Sequence, residues 1–97
     1  MIDRKLSLLG LCMRAGKLIT GESAAIQAVR NGAACAVVLD RAASANAVKA
    51  VTNACTFYEV PLVYTEENEL GHAIGKPGRM CAAVTDPSFA ERIVKIQ

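Results

Sequence analysis

The side chains best placed to hold a ligand gather around one glycine. Lys17-Leu18-Ile19-Thr20 leads into Gly21, and Glu22 to Asn31 follows with the spacing of an amphipathic helix. Gly32 stands where a left-handed helix end favours glycine. A short strand that turns abruptly into a helix leaves backbone N–H groups and the positive end of the helix dipole at an exposed edge. Gly21 has no Cβ, so the backbone of another molecule can come close. Lys17 just before the turn and Arg30 later on the helix complete a seat for an anion, phosphate being the commonest biological one. Taken alone, the same junction also reads as an ordinary strand-to-helix connection. A second cationic segment is Lys76-Pro77-Gly78-Arg79, a tight loop before Met80. Arg41 forms a third, emerging with Asp40 at the end of an apolar run.

Other chemistry is poorly provided for. His72 is the only histidine, set between Gly71 and Ala73, and reads as structural. Cys12, Cys35, Cys55 and Cys81 are spread evenly in apolar surroundings, with none of the close pairing of a zinc site. They read as reduced, buried small hydrophobes. The sequence contains no GxSxG, HExxH or GxGxxG. Gly10 to Lys17 fails the phosphate-loop template, because Leu18 follows Lys17 where Ser or Thr is required and the segment reads as helix. A binding domain without catalytic residues, metal or cofactor is the expectation.

The elements that position these residues follow from apolar spacing. Residues 3–15 form a helical stripe through Leu6, Leu9 and Met13 that Gly16 ends. Residues 33–40 are a continuous apolar run, as in a strand buried on both faces. Ser44 caps a helix of about 45–57, and residues 60–64 form a strand with Pro61 at its entry. Thr65 is expected to cap a short helix whose first turns hold Glu66, Glu67 and Glu69, where the dipole favours acids. Residues 80–84 form the last strand, and Asp86-Pro87 starts a helix over 88–96 that buries Phe89, Ile93 and Ile96. The alternation predicts one domain over 1–97. It is an α/β fold, a three-layer α/β/α sandwich on a mixed sheet of about four strands, the first free to pair antiparallel.

Composition agrees. Of 97 residues 53% are apolar, yet four are aromatic and none is Trp, so Ala, Val, Leu and Ile must build the core. With so few aromatics, base stacking is not expected to be the main source of any nucleic-acid affinity. No apolar run approaches the ~20 residues of a membrane span, and the charged, interrupted N-terminus is no signal peptide, so a cytoplasmic protein off the membrane is expected. The net charge of +2 is uneven: residues 1–50 carry seven basic against three acidic groups, residues 51–97 four against six. A basic face is therefore allowed.

Gly21 with its helix to Gly32, the Val60-Pro61 strand entry, and Leu70-Gly71-x-Ala73-x-Gly75 before the last strand occur in an order that resembles the kink-turn-binding ribosomal protein family. Arg14-Ala15-Gly16-Lys17, Glu59-Val60-Pro61, Leu70 to Lys76 and Ala83 to Pro87 look most like its bacterial YlxQ-like branch. The resemblance spans almost the whole chain, through motifs that are individually loose and jointly specific. It implies an α/β/α sandwich and binding of a kink-turn, a sharply bent RNA duplex with sheared G·A pairs. In such proteins the turn and the start of the second helix read guanine edges, while the loop before the last strand packs on a flipped-out nucleotide. The family pattern G-x-N-E-x-x-K falls here on Gly21, with Ser23 at the Asn, Ala24 at the Glu and Gln27 at the Lys. Ser23 has a shorter reach, Gln27 no charge and Ala24 no acceptor, while Glu22 points elsewhere on the helix. If each lost pair costs ~1–3 kcal/mol, affinity for a standard kink-turn falls, and Lys76, Arg79 and Met80 offset part of the loss.

The expected RNA surface is thus Lys17, Gly21, Glu22, Ser23, Gln27, Arg30, Arg41, Lys76, Arg79 and Met80. Ser23 and Gln27 would address bases, and the cations phosphates. Structured RNA, ribosomal in origin, is the expected partner, with protein partners in a ribonucleoprotein allowed. Two alternatives stay open. One is a protein-interaction module of the same fold that has lost RNA specificity; the other is a small-molecule sensor or enzyme using the open strand ends.

Overall fold

The computed structural model describes residues 4–96. Helices and strands alternate as α1 (Arg4–Arg14), β1 (Leu18–Thr20), α2 (Glu22–Arg30), β2 (Ala36–Asp40), α3 (Ala45–Tyr58), β3 (Leu62–Thr65), α4 (Glu69–Ile74), β4 (Cys81–Val84) and α5 (Pro87–Ile96). The strands make one mixed sheet in the order β1-β4-β2-β3. β2 and β3 run parallel, while β4 is antiparallel to both β1 and β2 and lies between them.

Side chains alternate across this sheet with the period of two that a pleated strand imposes. Val37, Leu39, Cys81 and Ala83 face one way and pack with Ala25, Ala28 and Val29 of α2 and Val51 and Cys55 of α3. Ala36, Val38, Ala82 and Val84 face the other way, onto Leu9 and Cys12 of α1, Leu70 and Ile74 of α4, and Ala90 and Ile93 of α5. Two apolar layers result, and the expected three-layer α/β/α sandwich is the observed fold. All of β2 and β4 is buried, which is why both read as unbroken apolar runs.

Several boundaries differ from expectation for local reasons. β2 begins at Ala36 rather than residue 33, because the N–H groups of Ala33 and Ala34 both still bond the Ala28 carbonyl, at 2.9 and 3.0 Å, as α2 unwinds. Thr65 does not cap a helix. It is the last residue of β3, buried, and its hydroxyl donates to Asp40 Oδ2 at 2.9 Å. α4 starts later, after a left-handed Asn68, so Glu66 and Glu67 precede the helix and only Glu69 lies in its first turn. Ile93 is buried on α5 as expected, whereas Phe89 and Ile96 are half-buried. Ser44 caps α3 as its type predicts, accepting from the Ala47 N–H at 3.1 Å.

Candidate nucleic-acid interface

Four strand ends meet at one edge of the sheet. The Gly21 N–H donates to the Cys81 carbonyl at 2.8 Å, and the Asp40 N–H donates to the Met80 carbonyl at 2.8 Å. The Arg41 N–H reaches the Thr65 carbonyl at 3.0 Å. These bonds draw the β1–α2 turn and the residue 76–80 loop side by side, although nearly sixty residues of chain separate them. Gly21 adopts φ 101°, ψ 146°, a conformation essentially confined to glycine, and its carbonyl accepts from Ala25 N–H at 2.9 Å to open α2. A Cβ at Gly21 would lie 3.1 Å from Arg79 Nη1, so the guanidinium rests directly over the bare turn. Gly21, Glu22, Ser44, Gly78, Arg79 and Met80 line an open cleft of about 320 Å³ there.

The loop carrying Arg79 is seated on α4. The Lys76 N–H donates to the Gly71 carbonyl at 2.9 Å, and Arg79 N–H to the Lys76 carbonyl at 3.2 Å. A Cβ on Gly71 would lie 2.8 Å from the Lys76 carbonyl oxygen and 3.2 Å from both Gly78 N and Pro77 Cα. Only glycine lets the loop come this close.

Asp40 anchors the edge from below, a role that its place at the end of an apolar run does not announce. Its carboxylate is fully buried and accepts from the N–H groups of Ala42, Asn68 and Leu70 at 2.9, 2.8 and 3.0 Å, besides the Thr65 hydroxyl. Burial disfavours its charge, but the bonds from Leu70, Ala42, Asn68 and Thr65 outweigh that and hold the carboxyl below its ordinary range. One side chain thereby ties β2, β3 and the start of α4 together under the cleft. Ser44 is the other contributor to the cleft that its residue type marked only as a helix cap.

The expected site residues fall into two groups. Gly21, Glu22, Arg79 and Met80 share the cleft, with Lys76 at the start of the same loop. Ser23 and Gln27 are exposed one turn apart on α2, directly beyond it. Arg41 is also at this edge, but its Nε pairs with Glu66 Oε2 at 3.0 Å and its guanidinium lies 5.0 Å over the Tyr64 ring. Both partners are largely exposed, so that pair is readily exchanged for another anion. Lys17 and Arg30 are elsewhere. The Lys17 carbonyl accepts from the N–H and hydroxyl of Thr85, at the far end of β1, and Arg30 is the last residue of α2. The structure therefore does not bring Lys17 and Arg30 to the Gly21 turn as one anion seat.

The remaining candidates for chemistry are placed unfavourably for it. His72 is exposed. Cys12, Cys55 and Cys81 are buried and Cys35 half-buried, all as free thiols. Burial, with the charge of Asp86, pushes the Cys12 thiol up to about 11. Burial, with Cys55 and Glu22, pushes Cys81 to about 12. Thiols so shifted stay protonated and weakly nucleophilic near neutral pH. Among the described residues no helix is long and apolar enough to cross a membrane.

This architecture has close counterparts. The chain is 42% identical over 90 residues to the RNA-binding protein YlxQ of Bacillus subtilis (strain 168), covering 92% of this chain and 90% of that one. It is 41% identical over 91 residues to RNA-binding protein YlxQ of Enterococcus faecium, covering 93% and 87%. Among solved structures, a protein with unknown function from Bacillus halodurans C superimposes with a TM-score of 0.93 at 34% identity, over 98% of this chain and 97% of that one. A 15.5kD RNA binding protein of Giardia lamblia shares the fold, with a TM-score of 0.76 at 23% identity over 94% and 82%. The model of one family matches residues 4–94, nearly all that the structure describes, and with relatives this similar the chain belongs to the ribosomal protein L7Ae/L30e/S12e/Gadd45 family.

Proposed function

We propose that the protein binds structured RNA without catalysing a reaction, and that its ligand is a kink-turn-like bend, ribosomal in origin. The observation that carries this is the junction of the glycine turn with the Lys76–Met80 loop. It joins a bare backbone, a helix N-terminus and a cation in one cleft open to solvent. Backbone N–H groups at the start of α2 and the Arg79 guanidinium suit phosphate oxygens or base acceptors. The Glu22 carboxylate, on the rim, can accept from the amino and imino groups of a base. Ser23 and Gln27 stand where base edges in the groove would pass, and Met80 offers an apolar surface to an unstacked nucleotide. RNA-binding relatives at about 42% identity support the ligand class.

The decisive experiment titrates the protein against a kink-turn RNA and a duplex in which Watson–Crick pairs replace the G·A pairs, at two salt concentrations. Tighter binding to the kinked RNA, with a steep loss at high salt, is expected. Gln27→Lys adds a charge one turn into α2 and should tighten binding further, by about tenfold. Equal or absent binding to both RNAs overturns the proposal. It would then favour a protein-binding module, the reading to which Ala24 and Gln27 lend weight because neither offers a charge to the RNA groove.

A further inference from the structure

Away from the cleft, α3 ends on two exposed aromatic rings. Phe57 is 78% exposed and Tyr58 44%, and their rings meet edge to face with centroids 4.9 Å apart. They close one end of an open groove of about 460 Å³ between α2 and α3, walled by Ile26, Arg30, Asn53 and Ala54. Both helices begin at the cleft, since Glu22 and Ser44 line it, and both return across the same sheet face. The groove opens at Ile26, one turn beyond Glu22, and runs to the far ends of both helices at Arg30 and Tyr58.

The chemistry of the groove is one-sided. Beyond Glu22, α2 carries no carboxylate, and α3 carries none from end to end. Arg30 makes no hydrogen bond or ion pair with another described residue. The exposed Glu59 follows Tyr58 just past the end of α3, while Arg30 is the one charged group among the described residues lining the groove. Bare aromatic rings beside an unengaged guanidinium match a single-stranded nucleic acid. Its bases offer π-faces and its backbone phosphates.

We infer that the α2–α3 groove holds an unpaired flank of the RNA whose bent duplex occupies the cleft, with a base stacked on Phe57 and Tyr58 and a phosphate on Arg30. This rests on the cleft being the RNA site, and it gives Arg30 a role at the far edge that the glycine turn does not supply.

The test compares a kink-turn RNA that ends blunt with the same RNA carrying a six-uridine tail at either end. A tail should tighten binding by roughly tenfold, within the range of stacking on an aromatic ring. Phe57→Ala and Phe57→Leu should both abolish that gain while leaving blunt RNA unaffected, and Phe57→Tyr should retain it. Leucine keeps the apolar bulk without the ring face, so its failure to rescue separates stacking from packing. Equal affinity for tailed and blunt RNA overturns the inference and leaves the cleft reading intact. Should blunt RNA not bind at all, the cleft reading fails by itself. Free hexauridine then tests the groove: upfield movement of the Phe57 and Tyr58 ring protons supports it, and unmoved resonances overturn it. Self-association lost in Phe57→Ala without any tail effect would assign the rings to a protein contact, also overturning it.

Discussion

At the scale of single residues, the cleft depends on a buried carboxylate more than on any group it presents. Asp40 joins backbone donors from the turn after β2 and from the start of α4, and in its absence the Leu70 N–H would be buried without a partner. Asp40→Asn keeps the shape but turns an amide N–H toward donors, which should cost about 3 kcal/mol at neutral pH. The pH dependence has a definite sign. The folded state lowers the Asp40 pKa, so its contribution is complete above about pH 4, where the unfolded chain is already ionised, and is lost on further acidification. Thermal unfolding from pH 7 to pH 2 should show this acid-linked loss in the wild type and a flatter profile in Asp40→Asn. A profile of equal steepness in both would refute the assignment. None of this was legible in the sequence, where Asp40 is simply the end of an apolar run. What makes it an anchor is a loop that arrives 25 to 30 residues later.

Among the elements, helix ends repeat one solution. α1, α2 and α4 stop with Gly16, Gly32 and Gly75 left-handed, each flanked by paired backbone bonds back into the last turn. α3 stops the same way, with Glu59 N–H to the Thr56 carbonyl and Val60 N–H to the Cys55 carbonyl, but a glutamate occupies the left-handed position at φ 56°. Glu59→Gly should therefore stabilise the fold by up to about 1 kcal/mol, measurable as a raised Tm. The glycine-ended helices were legible because glycine advertises the conformation; α3 hid its end behind a residue that does not. The α4 boundary hid for a related reason, since Asn68 takes the left-handed turn that places Thr65 in β3. Gly71 connects an element to function. Gly71→Ala would push Lys76 and Gly78 backbone off α4, costing about 1–3 kcal/mol and shifting Arg79 from the Gly21 turn. Its RNA affinity should fall further than its stability, comparing titration with unfolding of the same sample. An affinity that tracks the folded fraction alone would dissociate loop seating from binding.

For the whole molecule, the placement of charge decides more than its total. Arg79 lies at the cleft, with Lys76 at the start of its loop, whereas Lys17 and Arg30 lie at the other end of β1 and α2. Neutralising Arg79 should lower RNA affinity about tenfold and reduce the salt slope by about one unit, while Lys17→Gln should act weakly unless the RNA wraps past the domain edge. The layered fold itself was legible, because helices of period 3.6 alternate with short apolar strands. So were Gly21 and Arg79 as candidate residues. Their meeting was not, for it is made by β4 pairing between β1 and β2, a register that no local spacing encodes.

That last pairing has a bearing on how the molecule comes into being. β1 and β2 touch only through β4, so the sheet stays open until residues 81–84 have been synthesised. Loop closure over such separations is entropically slow, and it must come late on a ribosome that extrudes the chain from its N-terminus. The proposed RNA cleft then exists only on a completed chain. A chain halted before β4 holds Gly21 and the start of α2 but has no Arg79, no partner for β1 and no edge to bind with. Fragments ending at residue 75 should remain protease-sensitive and silent toward RNA, and adding residues 76–96 as a separate peptide should restore protection before it restores binding.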